Sequence, residues 1–270
     1  MKILLNNNDL NKTLKKYKNI GFVPTMGSIH RGHISLINKS KKQCSTTIVT
    51  LFVNPTQFNK KSDFKNYPRN IDKDLSILKN LKINFLYIPK TKDIYKYKRK
   101  NKIKLLKNED ILCAKYRKDH FEGVLDVMER FTKLINPKKI YMGEKDYQQY
   151  TLVKKFLEKK YNTKIICSKT IREKNKLALS SRNLLLDNKS YYKAGKIAEN
   201  LIRFKKTLKK KINVNTLIRE RKIFLEKQYK IKIEYFELRN EKTLKLSNTM
   251  FKSKIFLAYY LNKIRLIDNF

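Results

Sequence analysis

Apolar positions along the chain follow two rhythms. Short continuous runs rich in β-branched and aromatic residues predict buried strands at Ile20–Val23, Ser45–Val53 (STTIVTLFV), Ile83–Ile88 (INFLYI), Lys139–Met142 (KIYM) and Lys164–Cys167. Elsewhere the spacing turns helical. Val124, Val127, Met128, Phe131, Leu134 and Ile135 recur at three and four residues, with Asp126, Glu129, Arg130 and Lys133 opposite. That pattern predicts an amphipathic helix, stopped by Asn136-Pro137. Leu152, Val153, Phe156 and Leu157 mark another, with lysines crowding its polar face. Strands separated by helices predict βαβ units and an α/β fold built on a doubly wound parallel sheet.

After about residue 172 the texture changes. Two lysine-rich helical stretches, about 188–210 and 214–229, precede IKIEYFELRN, KIFLAYYL and IRLIDNF, which read as strands. Helices followed by strands predict a smaller C-terminal α+β domain. The expected division is therefore 1–172 and 173–270, with no internal repeat and no low-complexity linker.

Composition narrows the classes. The 270 residues are 41% hydrophobic, enough for a sizeable core, and no apolar run approaches the ~18 residues of a membrane span. The opening MKILLNNNDL has three apolar residues in a row, too few for the apolar centre of a signal peptide, so a soluble cytoplasmic protein is expected. Cys44, Cys113 and Cys167 are far apart and odd in number, which argues against a disulfide framework or a zinc site. The net charge of +42 admits two readings. It can be the footprint of an RNA-binding protein. Alternatively it reflects codon composition, because lysine is spread along the whole chain beside abundant Asn and Ile.

One stretch concentrates scarce residues. PTMGSIHRGH, Pro24–His33, contains two of the three histidines and two of the six glycines. It starts where the first strand signal ends, the place where a parallel sheet gathers its ligands. Gly27 permits a turn that a Cβ would hinder. His30 and His33 share one face if a helix starts there, and a helix N-terminus seats a phosphate. Imidazole N–H groups there can stabilise phosphoryl oxygens as charge builds.

Further along lie FVNPTQF (Phe52–Phe58), YPRNIDKDL (Tyr67–Leu75), GEKDYQQ (Gly143–Gln149) and LALSSRN (Leu177–Asn183). HxGH alone is shared with class I aminoacyl-tRNA synthetases and other nucleotidyltransferases. In this order and with these gaps, the set resembles the pantothenate synthetase family, the pantoate–β-alanine ligases. The resemblance covers roughly 20–186 and the closing IRLIDNF.

The resemblance implies a Rossmann-like domain of the nucleotidyltransferase type with a C-terminal lid domain, acting as a homodimer on small molecules, with no specific nucleic acid and no membrane. It implies that pantoate is adenylated by ATP, with Mg²⁺, and that β-alanine then displaces AMP. ATP contacts fall on Met26, Gly27, Ser28, Ile29, His30, Arg31, Gly32 and His33, on Gly143, Glu144, Lys145 and Asp146, and on Ile171, Leu179, Ser180, Ser181 and Arg182. His33, His30 and Lys145 are the catalytic candidates. Asn54, Gln57 and Gln149 are expected at pantoate or β-alanine, since neutral amides hold a carboxylate that must still attack. Asp74 is expected beside the Mg²⁺–triphosphate.

Two departures concern loops. Asn175-Lys176 stands where the family usually has Asp-Gly, and Arg117-Lys118-Asp119-His120-Phe121 where it has Arg-Pro-Gly-His-Phe. Each replaces a turn glycine with a residue carrying a Cβ.

Overall fold

The computed structural model describes residues 1–59, 61–97, 102–208 and 214–270. They form two compact units, Met1–Glu144 with Gln149–Lys169, and Lys145–Gln148 with Thr170–Phe270.

The first unit runs β1 (Lys2–Leu4), α1 (Asn7–Leu14), β2 (Ile20–Thr25), α2 (Arg31–Gln43), β3 (Thr46–Leu51), α3 (Lys61–Lys65), α4 (Ile71–Asn80), β4 (Phe85–Tyr87), α5 (Thr91–Ile94), α6 (Cys113–Tyr116), α7 (His120–Ile135), β5 (Lys139–Gly143), α8 (Tyr147–Glu158), whose first two residues count with the second unit, and β6 (Lys164–Ser168). Six parallel strands stand in the order β1-β4-β3-β2-β5-β6. The two central strands β2 and β3 are buried at all but one position, because both sheet faces are covered. On one face Val23, Ile37, Val49, Leu78, Leu86 and Tyr141 share a buried cluster. On the other, Phe131 of α7 meets Phe22, Phe52 and Tyr87 edge-on, with ring centroids 5.6, 5.9 and 6.4 Å apart. Burying each such ring contributes about 1.5–3 kcal/mol.

β1 was not among the expected strands; three residues hydrogen-bonded to β4 extend the sheet edge. The helix expected over Val124–Ile135 begins earlier, at His120, and ends where Asn136 turns left-handed at φ 49° before Pro137.

From β2 the chain steps outward through β3 and β4, then returns to the opposite side of β2 as β5. Connections therefore diverge between β2 and β5. In an open α/β sheet the crevice beyond the carboxyl ends of such a pair is where ligands bind.

In the second unit α9 (Asn188–Leu208) and α10 (Asn215–Tyr229) precede β7 (Lys232–Asn240), β8 (Ser253–Leu261) and β9 (Ile264–Asn269), an antiparallel sheet in that order. Ala194, Leu201, Leu225, Ile255 and Leu257 lie at its core. The expected helical stretch of 188–210 is helical through Leu208, and its last two residues lie outside those described.

Candidate active site

The loop after β2 is shaped by one carboxylate. Gly27 and Ser28 both take positive φ, 84° and 55°, so the chain turns sharply from strand to helix. Asp74, on α4 and 2% exposed, accepts the Ser28 and Ile29 backbone N–H groups at 2.7 Å each. Charge-assisted bonds of this kind offset the left-handed strain at Ser28. A Cβ at Gly27 would sit 3.0 Å from the same carboxylate. Ile29 turns its side chain into the core, 6% exposed. Its amide and that of Ser28 are therefore committed to Asp74, and these two residues build the loop.

His30 is the N-cap of α2. Its Nδ1 accepts the Gly32 N–H at 3.1 Å, and the Nδ1 of His33 accepts the His30 N–H at 3.4 Å. The two rings stack, with centroids 4.0 Å apart and planes inclined by 24°. With both Nδ1 atoms accepting, the neutral rings carry their protons on Nε2. The expected pairing of the two histidines on one helix face is thus present, as a capping box built from imidazoles. Arg31 opens the helix on its exposed side.

The loop after β3 is a network closed on itself. Asn54, 1% exposed, accepts the Tyr95 hydroxyl at 2.7 Å and the Thr56 hydroxyl at 3.1 Å through Oδ1. Its Nδ2 donates to Gln57 Oε1 at 3.3 Å and to the Gly123 carbonyl at 3.2 Å. Burial lifts the Tyr95 phenol above its ordinary range, so it stays a donor. Asn54, expected at pantoate or β-alanine, is bonded within the loop and orients Gln57. The Gln57 Nε2 in turn donates to the Met26 sulfur at 2.7 Å, which joins the loops after β2 and β3. A thioether is a weak acceptor, so this contact is given up at little cost.

α7 braces this loop from below. His120, 6% exposed, bonds through Nδ1 to the Gln57 carbonyl at 2.6 Å, which makes Nδ1 the donor. Nε2 then accepts from Arg117 at 2.9 Å. Gly123 lies so close that a Cβ would come within 2.5 Å of the Thr56 carbonyl oxygen. At both loop departures the residue that replaces the glycine takes a positive φ: Asp119 stands at 60°, and Lys176 in the second unit at 74°. Asn59 also donates its side-chain amide to the Lys118 carbonyl.

Beyond β5, Gly143 has open space where a Cβ would stand, with no heavy atom within 4 Å. Glu144 is half-buried in the single turn that follows, and Gln149 is half-buried in the first turn of α8.

In the second unit Lys145 lies 3.5 Å from Asp146 through its ammonium, and Asn269 donates to its backbone carbonyl at 2.9 Å. A hairpin joins Ile171 to Leu179 through the Leu179 N–H and the Ile171 carbonyl at 3.0 Å. It delivers Ser180, whose hydroxyl accepts the Arg182 N–H at 3.3 Å, and buried Ser181.

Mg²⁺ bound to a triphosphate needs few protein carboxylates. Among the described residues no three His, Cys, Asp or Glu side chains converge on a common point. Asp74, the carboxylate expected there, is buried with one backbone N–H on each oxygen. Those two bonds build the loop, and a Mg²⁺ contact by Asp74 stays an expectation of the family resemblance.

Sequence reasoning missed Tyr95 and the strut role of Asp74. Arg117 was noted only as part of a departing motif, and so was His120. Its one signal was rarity, as the third of three histidines.

Fold and site together define a doubly wound α/β enzyme with a histidine-capped helix at its sheet's switch point. The sequence model of the Pantoate-beta-alanine ligase family matches residues 2–270. A pantothenate synthetase of Flavobacterium psychrophilum is 40% identical over 263 residues, covering 95% of this chain and 93% of that protein. The crystal structure of a pantothenate synthetase from Thermus thermophilus superposes with a TM-score of 0.94 at 27% identity, covering 100% of this chain and 99% of that one. A pantoate–β-alanine ligase from Francisella tularensis, complexed with beta-gamma ATP and beta-alanine, does so at 0.85 and 38% identity, covering 100% and 97%. The chain belongs to the pantoate–β-alanine ligase family and is an enzyme of that family.

Proposed function

We propose that this chain joins pantoate to β-alanine at the expense of ATP, through a pantoyl adenylate. The pantoate carboxylate attacks the α-phosphorus; a P–O bond forms, the bond to the bridging oxygen breaks, and diphosphate leaves with its electrons. The β-alanine amine then attacks the acyl carbon, AMP departs, and the amine's proton is lost to solvent. No covalent enzyme intermediate is needed, so catalysis is alignment and charge stabilisation.

Each set of residues has a part in that scheme. His30 and His33 direct Nε2–H toward the phosphoryl oxygens, beside the positive end of α2. Gln57, held by Asn54 and His120, releases Met26 to take pantoate, with Gln149 as the second amide. Lys145, Ser180, Ser181 and Arg182 bind the nucleotide's phosphates, and the open space at Gly143 admits the nucleotide. Mg²⁺ enters as the triphosphate's own counter-ion, and no step is assigned to it. The subunits are expected to pair as homodimers, which sedimentation tests.

The observation that carries this reading is the Gln57-to-Met26 contact beside the stacked histidines. It sets an amide suited to a hydroxy acid against the loop that leads into the phosphate-binding helix cap. A coupled AMP-release assay tests it. Steady release is expected only with pantoate and β-alanine together. Release with either one alone at the same rate, or with neither, contradicts it.

A further inference from the structure

The last strand of the chain ends in a polar knot. Asp268, 7% exposed, and Arg172 form a two-pronged pair, with Nη1 to Oδ2 at 2.7 Å and Nη2 to Oδ1 at 2.9 Å. Arg172 also donates to the Asn269 carbonyl at 3.2 Å and to the Lys176 carbonyl at 3.0 Å, and its guanidinium lies 4.8 Å from the Phe270 ring centre. Asn269, 4% exposed, donates its side-chain amide to the Lys145 carbonyl at 2.9 Å. The backbone of Phe270 is fixed in turn by two bonds to Ile255, each 3.0 Å.

One strand end therefore grips two separate pieces of chain. One is the backbone of Lys145. The other is the hairpin that leads into Ser180, Ser181 and Arg182. None of Arg172, Asp268 or Asn269 is a group with a direct part in the proposed chemistry. Burying an ionised pair is costly unless it is fully hydrogen-bonded, and a bare stabilising contact would be served as well by apolar residues. Burial pushes the Asp268 carboxyl above its ordinary range even with the guanidinium pulling the other way. What the knot supplies in return is position.

We propose that Asn269 is a positioning residue for the adenylation step: it sets the backbone from which Lys145 reaches a phosphate, and the Arg172–Asp268 pair holds Asn269 and the 171–179 hairpin to the same frame. This rests on the ligase reading above. Loss of the Asn269 amide leaves the Lys145 side chain intact but its starting point loose, so the effect falls on ATP and on turnover rather than on pantoate.

The test is a cycle of Asn269→Ala, Lys145→Ala and the double variant in the full-length protein. It is read by pantoate-dependent exchange of labelled diphosphate into ATP. Where exchange is too slow to time, titration with β,γ-methylene ATP replaces it. Asn269→Ala is expected to lower kcat/KM for ATP about tenfold, as losing one buried hydrogen bond does. The KM for pantoate and the Tm should stay near wild type. In the Lys145→Ala background the same change should add less than about twofold, because both act through one group. Full additivity overturns the proposal, as does an unchanged kcat/KM or a Tm collapse that accounts for the whole loss. Wild-type protein without exchange would remove the ligase reading itself, whereas a normal wild type with additive variants removes only this inference.

Discussion

The two units hold their polar groups by different means. In the first, the side chains expected to do chemistry are hydrogen-bonded themselves: His30 to Gly32, His33 to His30, and Gln57 to Asn54 and Met26. In the second, Lys145 is gripped through its backbone carbonyl, and Ser180 to Arg182 follow a hairpin tied to β9. Side chains fixed in advance suit a step whose cost is alignment of a carboxylate with a phosphorus. The Lys145 ammonium meets Asp146 only at 3.5 Å, so under the proposed function a triphosphate can draw it away. Under the proposed function, the first unit serves both pantoate and ATP, and the second serves ATP alone.

The comparison can be broken most severely at His33. His33→Ala removes a donor aimed at the reacting phosphate and should slow diphosphate exchange about 10²–10³-fold with circular dichroism unchanged. A rate near wild type would take His33 out of the mechanism.

Asp74 separates a strut from a metal ligand. Asp74→Asn turns an amide donor against a backbone N–H and should cost about 1–3 kcal/mol of stability, with a lower kcat. The Mg²⁺ concentration for half-maximal rate at fixed ATP should not move. A large shift in that concentration at normal stability would restore the metal role.

His120 carries a smaller effect and a cleaner split. Without its bond to the Gln57 carbonyl, His120→Ala should raise the KM for pantoate about tenfold and leave the KM for ATP alone. Equal changes in both would mean the brace is merely structural.

The smallest effects test the two loops, one in each unit. Lys176→Gly should stabilise by up to about 1 kcal/mol, because a Cβ at φ 74° is strained. Asp119→Gly should gain less, since Asp tolerates that region and glycine loosens the unfolded chain. Thermal melts that rank the two the other way would show that side-chain contacts, rather than backbone strain, dominate there.

Much of this was legible in the chain itself. The central strands announced themselves because a parallel sheet covered on both faces favours runs of β-branched and apolar residues without a polar alternation. The α2 cap announced itself through two histidines astride a glycine. β1 did not, since three residues at a sheet edge leave no period to detect. Asp74 did not either: a lone carboxylate on an amphipathic helix looks solvated, and only a contact 46 residues away turns it inward. Asn54 carries a structural part that its chemistry does not announce. Its amide bonds Tyr95, Gln57 and Gly123, and no spacing records those partners. The glycine replacements showed only that a Cβ stands in each turn; that both residues take positive φ is read from the backbone.

The central claim is that the histidine-capped helix and the Gln57 amide together activate a carboxylate on ATP before any amine arrives. Labelled diphosphate should therefore exchange into ATP when pantoate is supplied and β-alanine is withheld. Exchange that is absent under those conditions, or that appears only once β-alanine is added, contradicts it.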